Sequence, residues 1–230
     1  DEIAGNTSGR VANKGMEGLA ISPDGRVLFG AMQAPLIQDG GDGAPVLRIA
    51  RIDLRTRQVR EYAYPLTNSG TPAKPKYNGV SEILAVNDHQ LLVDERDGKG
   101  LGDGSEAKFK RVYLIDLDGA ADVGKLSGAA ALAAVAVQKT PFLDVVAELG
   151  RHGMLPSEIP AKLEGLSFGP DVTQDGRRRH TLFIANDNDF LATVTDDLHP
   201  QGADNPNRFF VFAFDDADLP GLKAQRERCD

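Results

Sequence analysis

Three glutamates open apolar runs in this chain: Glu17 in EGLAISPDGRVLFGAM, Glu82 in SEILAVNDHQLLVDERD and Glu164 in EGLSFGPDVTQDGRRRHTLFIANDND. A carboxylate at the start of a core strand is costly unless it is paired, hydrated or bound to a metal. Asn186, Asp187, Asn188 and Asp189 follow Glu164 after the next apolar run, so the available donors are hard oxygens. Such a set suits Ca²⁺ or another hard divalent cation rather than zinc. The expected metal ligands are Glu17, Glu82, Glu164 and Asp187. The plainer alternative is that these glutamates only accept backbone hydrogen bonds at strand starts.

Asp94-Glu95-Arg96 forms a second constellation, at the end of the apolar run LLVDER. Alternation along a strand sends Glu95 to the face opposite Asp94 and Arg96. Glu95 and Arg96 are the candidate catalytic residues, and Arg96 with Lys139 the candidates for holding an anionic substrate. A structural ion pair is the competing role for Arg96. Lys74, Lys76, Lys99, Lys108 and Lys110 add positive charge on neighbouring loops, or are simply solvated. A serine nucleophile finds little support: neither Ser81 nor Ser167 sits in a Gly-x-Ser-x-Gly elbow, and His89, His152, His180 and His199 show no triad spacing.

The elements that must position these groups are read from the repeat itself. Acid, apolar run, polar turn and second apolar run recur three times at wide spacing, which predicts an all-β, β-propeller-like fold whose equivalent positions converge on an axis. Strand pairs are expected at 17–22 with 27–32, 46–53 with 58–64 and 80–86 with 90–95, then single strands at 111–117, 163–168, 181–185, 190–195 and 209–214. Polar loops at 33–45, 65–79 and 97–110 are candidate binding loops. A helical insertion is expected within 119–160: Ser127–Val137 with a serine cap, and Phe142–Met154 with Gly150 as its stop. Arg177, Arg178, Arg179 and His180 follow an Asp-Gly turn and read as a solvated hairpin tip.

Composition excludes several classes. With 41% hydrophobic residues and no apolar run near ~20 residues, the sequence predicts no membrane span. A formal charge of −8 opposes binding to a nucleic-acid backbone. The strand count falls short of a closed six- or seven-bladed ring. Two expectations stay open: an incomplete ring, finished by a missing N-terminal segment or a second polypeptide, with the single cysteine, Cys229, pairing outside the chain, or a smaller self-sufficient β fold with a free terminal thiol.

Taken in order, NKGMEGLAISPDGRVLFGAMQAPLIQDG, RIARIDLRTRQVREYAYPL, NGVSEILAVNDHQLLVDERD, RVYLIDLDGA, KLEGLSFGPDV, TLFIANDND and RFFVFAFD resemble the phytase-like domain of bacterial proteins described as having esterase-like activity of phytase. The resemblance implies a single phytase-like propeller domain, or a portion of one, over 1–230. It also implies export to the periplasm or beyond the cell, and hydrolysis of phosphate or other esters. Carried over by position, Glu17, Glu82, Glu95, Arg96, Glu164 and Asp187 are the pocket residues it implies. Three functions stay open: a metal-dependent hydrolase of small anionic esters, a lactonase-like enzyme, and a non-catalytic propeller whose structural metal supports binding of a protein or glycan.

Overall fold

The first three hairpins are each closed by a turn whose side chains satisfy the backbone locally. In the first, Ser22 Oγ accepts from the amides of Arg26 (3.2 Å) and Val27 (2.9 Å), and Gly25 takes a positive φ of 70°. This joins β1 (Met16–Ile21) to β2 (Val27–Met32). Asp53 Oδ1, accepting from the amides of Arg55 and Thr56, turns β3 (Val46–Asp53) into β4 (Val59–Pro65). Asn87 Oδ1 does the same through His89 and Gln90 between β5 (Gly79–Ala85) and β6 (Gln90–Arg96). These are side-chain-to-backbone turns of the kind Asp, Asn and Ser favour.

The chain continues through β7 (Lys110–Asp116), α1 (Ala129–Ala133), β8 (Lys139–Asp144), α2 (Val145–Arg151), β9 (Leu163–Gln174), β10 (Arg177–Asn186), β11 (Thr193–Val194), β12 (Ala203–Asp204) and β13 (Phe209–Phe214). The structure, a computed structural model, describes residues 5–225. Cys229 and its expected pairing lie outside the described residues. The fold is mostly β with few helices and several antiparallel sheets. Two sheets are four-stranded, in the orders β1-β2-β3-β4 and β5-β6-β7-β8; one is three-stranded, β13-β10-β9, and β11 pairs with β12 alone.

The described residues form two compact units, one comprising the chain up to Val93, Tyr113–Thr140 and the segment from Gly221, the other Asp94–Val112 and Pro141–Pro220. The first unit is organised around Phe29, Leu47, Ile49, Tyr64, Val80 and Leu91, all fully buried. Within it β1 packs against β5. A Cβ placed on Gly18 would lie 3.0 Å from both Ile83 Cγ1 and the Ile83 backbone nitrogen, so the close approach of the two strands leaves little room for a side chain at position 18. In the second unit, Asp175 and Gly176 take positive φ and turn β9 directly into β10, paired from Arg177 opposite Gln174 to Asn186 opposite Leu163 with register shifts between Arg179 and Thr181 and between Ala185 and Asn186.

Several local expectations change. The Ala-rich helix is only Ala129–Ala133, begins at Gly128 and has no side-chain cap, so Ser127 does not cap it. Strand β8 lies between the two helices and takes up Phe142, Leu143 and Asp144, which the sequence pattern places in the second helix. Asp144 caps α2 by accepting from the Ala147 amide, and Gly150 lies inside that helix rather than ending it; the left-handed residue after it is Gly153. The strand expected at 190–195 shrinks to Thr193–Val194. The basic cluster does follow the hairpin turn, but Arg178 pairs with Asp171 and Arg179 with Asp215.

Candidate functional site

The residues of the second unit with the densest charge chemistry stand at strand ends. β6 ends at Arg96, β7 begins at Lys110, β9 carries Glu164 in its second position, and Asp187 follows β10. Arg96 Nη2 donates to Glu164 Oε1. Arg96 Nη1 donates to the carbonyls of Asp97 (3.3 Å) and Ala161 (3.4 Å). Lys110, with no exposed surface, donates Nζ to Ala161 O (2.8 Å), Asp97 O (3.2 Å) and Asp97 Oδ1 (3.3 Å). Asp97 Oδ2 in turn accepts from the amides of Lys108 and Phe109. Two cations and the two carbonyls they share, of Asp97 and Ala161, are thereby bound into one knot.

Lys162 continues the cluster toward solvent. Its Nζ lies 2.6 Å from Asp189 Oδ1, 3.1 Å from Asp187 Oδ2 and 3.9 Å from Glu164 Oε1. The hydrogen bond that Lys162 donates to Asp189 comes first in raising its ammonium above the ordinary lysine value. Asp187 is held below the usual carboxylate range, first by the Asp189 amide and then by Lys162. Burial pushes Lys110 down, with Asp97 opposing and Arg96 adding to the fall. The Glu164 side chain is 28% exposed. Among the described residues its Oε2 makes no hydrogen bond, which leaves a carboxylate oxygen with open lone pairs beside two cations.

The expected site residues divide between the two units. Arg96, Glu164 and Asp187 enter the cluster just described. Glu95, in the same unit, is fully buried and Asp94 1% exposed, so both faces of β6 are covered at that point and solvent does not reach Glu95. In the first unit Glu17 is exposed on β1. Glu82 is half-buried, and its Oε1 accepts from the amides of Ile83 (2.9 Å) and Leu19 (3.1 Å). Burial raises its carboxyl above the ordinary value against those two amides. Lys139 Nζ sits 4.2 Å from the centre of the Tyr113 ring and 4.7 Å from that of Tyr64, a cation–π contact.

Among the described residues, no group of three or more His, Cys, Asp or Glu side chains is placed to hold a metal ion. Glu164 and Asp187 already face Arg96 and Lys162, and Glu82 is engaged by two amides. This donor set fits cationic side chains, not a divalent ion, and no catalytic step is derived through a metal. Nor do the described residues contain a Ser–His hydrogen bond: His89 pairs with Asp116, His180 with Asp171 and Asp216, and His199 with Asp196.

Lys162 is the residue the sequence reading missed. Its signal was present: in Lys162-Leu163-Glu164 the alternation of a strand places Lys162 and Glu164 on one face.

No curated protein and no solved structure matches the chain. A family model described as Phytase-like, esterase-like activity of phytase, matches residues 2–190, a span that takes in Glu17, Glu82, Arg96, Lys110, Lys162, Glu164 and Asp187. With well over half of its length inside that match, the chain belongs to the Phytase-like family, at family level hydrolases of the phosphatase or esterase kind.

Proposed function

We propose that this protein hydrolyses phosphate esters, or other esters bearing an anionic group, at the Arg96–Glu164–Lys162 cluster. The observation that carries the reading is Glu164, pinned through Oε1 by Arg96 while Oε2 stays open on a solvent-reached side chain. Oε2 takes a proton from water, and the water oxygen bonds to the ester phosphorus or acyl carbon. The bond to the leaving oxygen breaks, and that oxygen receives the proton back from Glu164. Lys162, kept charged by Asp189 and Asp187, offsets the negative charge that builds on the transferred group. Arg96 orients the base and adds to the positive field.

The sheet pattern supports reading the domain as blades of a propeller. Both four-stranded sheets run in sequential order, each of the three larger sheets has a glutamate on its first strand in the sequence (Glu17, Glu82, Glu164), and β1 packs against β5. The three-stranded sheet would then be a blade one strand short of the others.

Hydrolysis of p-nitrophenyl phosphate and p-nitrophenyl acetate tests the catalytic reading. Glu164→Gln is expected to lower kcat by about 10²–10⁴-fold, the usual range for general acid–base catalysis. Glu17→Gln should leave it unchanged, and so should a chelator. Full activity in Glu164→Gln would end the proposal. Activity lost in chelator and restored by Ca²⁺ would favour instead a Ca²⁺ ion on the repeated carboxylates. No hydrolysis by the unaltered protein would favour a binding role.

A further inference from the structure

In the first unit, a saturated and an unsaturated arginine stand three residues apart on β3. Arg48, buried, donates Nε and Nη2 to Asp39 (2.6 and 2.9 Å), Nη1 to Glu61 (2.7 Å) and Val123 O (3.1 Å), and Nη2 again to Leu126 O (2.8 Å). Every donor direction of that fork is used, as expected of a structural guanidinium. Among the described residues Arg51 makes no ion pair and no side-chain hydrogen bond. Directly across from it the register places Arg60 of β4. Arg60 has no ion pair either, and interacts with Asp122 only as a nearby charge.

Like charges set opposite each other on neighbouring strands destabilise a sheet. The register that creates this pair is fixed by its neighbours, since it puts Ile49 opposite Tyr62 and Leu47 opposite Tyr64 in the core. The two guanidiniums line a cleft of about 380 Å³ together with Tyr62, Asp88, His89 and Asp118. The acids there do not neutralise them. Asp88 faces Lys223 at 3.9 Å, and neither Asp88 nor Asp118 comes within ion-pairing distance of Arg51 or Arg60.

We propose that this cleft binds a tetrahedral oxyanion, a phosphate or sulfate group, between Arg51 and Arg60. Two planar forks offer paired donors that match such an oxyanion, and the bound charge removes the repulsion the fold imposes. The cleft falls within the usual range for small-molecule sites, and is roomier than a bare phosphate requires, so the group can belong to a small phosphorylated molecule. The site shares no residue with the Glu164 cluster and does not depend on its chemistry.

Titration calorimetry with inorganic phosphate, at ionic strength held constant with chloride, tests this. The unaltered protein is expected to bind a phosphate that Arg51→Gln and Arg60→Gln each weaken by about tenfold. The double variant should lose that binding event, while Arg55→Gln, in an exposed turn, keeps it. Arg60→Gln, on an exposed side chain, should melt no lower than the unaltered protein in phosphate-free buffer, because a repulsion has been removed; this keeps the test valid if Arg51→Gln fails to fold. Hydrolysis of p-nitrophenyl phosphate should persist in both variants, which separates this site from the Glu164 proposal. A sugar phosphate that binds more tightly than free phosphate would identify an organic ligand, and equal binding the free oxyanion. Unchanged phosphate affinity and stoichiometry in Arg60→Gln would overturn the proposal.

Discussion

Glu82 and Glu164 occupy the same place in the repeat and live in opposite surroundings. Glu82, in the first unit, is met by two backbone amides and by burial, and its protonated form gains. Glu164, in the second, is met by Arg96 and Lys162. A repeated sequence position thus fixes where a carboxylate stands on its strand without fixing what it faces. The partners come from segments the repeat does not control: Arg96 from a strand end 68 residues away, Lys162 from the residue that precedes β9.

That contrast can be broken most forcefully at Arg96. Arg96→Met removes a side chain only 10% exposed, strips Glu164 of its main partner and leaves the carbonyls of Asp97 and Ala161 to Lys110 alone. The expected cost is about 3 kcal/mol, between that of a charged hydrogen bond and that of a broken buried pair. Urea denaturation at neutral pH measures it, and a loss below about 0.5 kcal/mol would mean that the pair is surface decoration.

Glu82→Gln should move stability the other way, by no more than about 1 kcal/mol. A carboxyl raised on folding contributes stability that is fully present below its ordinary value, 4.5, and is lost as pH rises through the folded value. At pH 7 Glu82 is therefore a net cost, and the glutamine variant should melt higher, its advantage fading as pH falls toward 4. Melting curves across that range decide, and a variant less stable than the parent at pH 7 would erase the distinction between the two glutamates.

The smallest effect is expected at Lys162. Its side chain is 34% exposed, so solvent screening holds its pairs to under about 1 kcal/mol. Because its ammonium is raised on folding, its contribution is fully present below the ordinary value of 10.5 and lost as pH rises through the folded value. Lys162→Met should thus trail the parent slightly at pH 7 and converge with it in strong alkali; a gap that widens with pH would reverse the assignment.

The sequence carried the hairpins well because their turns are self-sufficient. Ser22, Asp53 and Asn87 close their loops with their own oxygens, so local chemistry is enough to place β1 to β6. It carried β8 poorly. Phe142, Leu143, Val145 and Val146 mimic a helical stripe, while the strand is decided by pairing in the β5-β6-β7-β8 sheet. At the site, Arg96 and Glu164 were each legible as chemical residues, but their pairing is a tertiary fact. Lys110 was read as a loop lysine, although it begins a strand and is wholly buried; nothing in its neighbours' types distinguishes a lysine that will meet three oxygens from one that will meet water.

The glycine of Glu-Gly-Leu gives the repeated phrase a second meaning. At Gly18 the missing side chain sets how near two strands stand, and at Gly165 an added Cβ would lie 3.3 Å from Ala185 Cβ. What the chain duplicates is then a gauge as well as a carboxylate: a fixed clearance, written as one absent methyl, that each copy brings along wherever it is inserted.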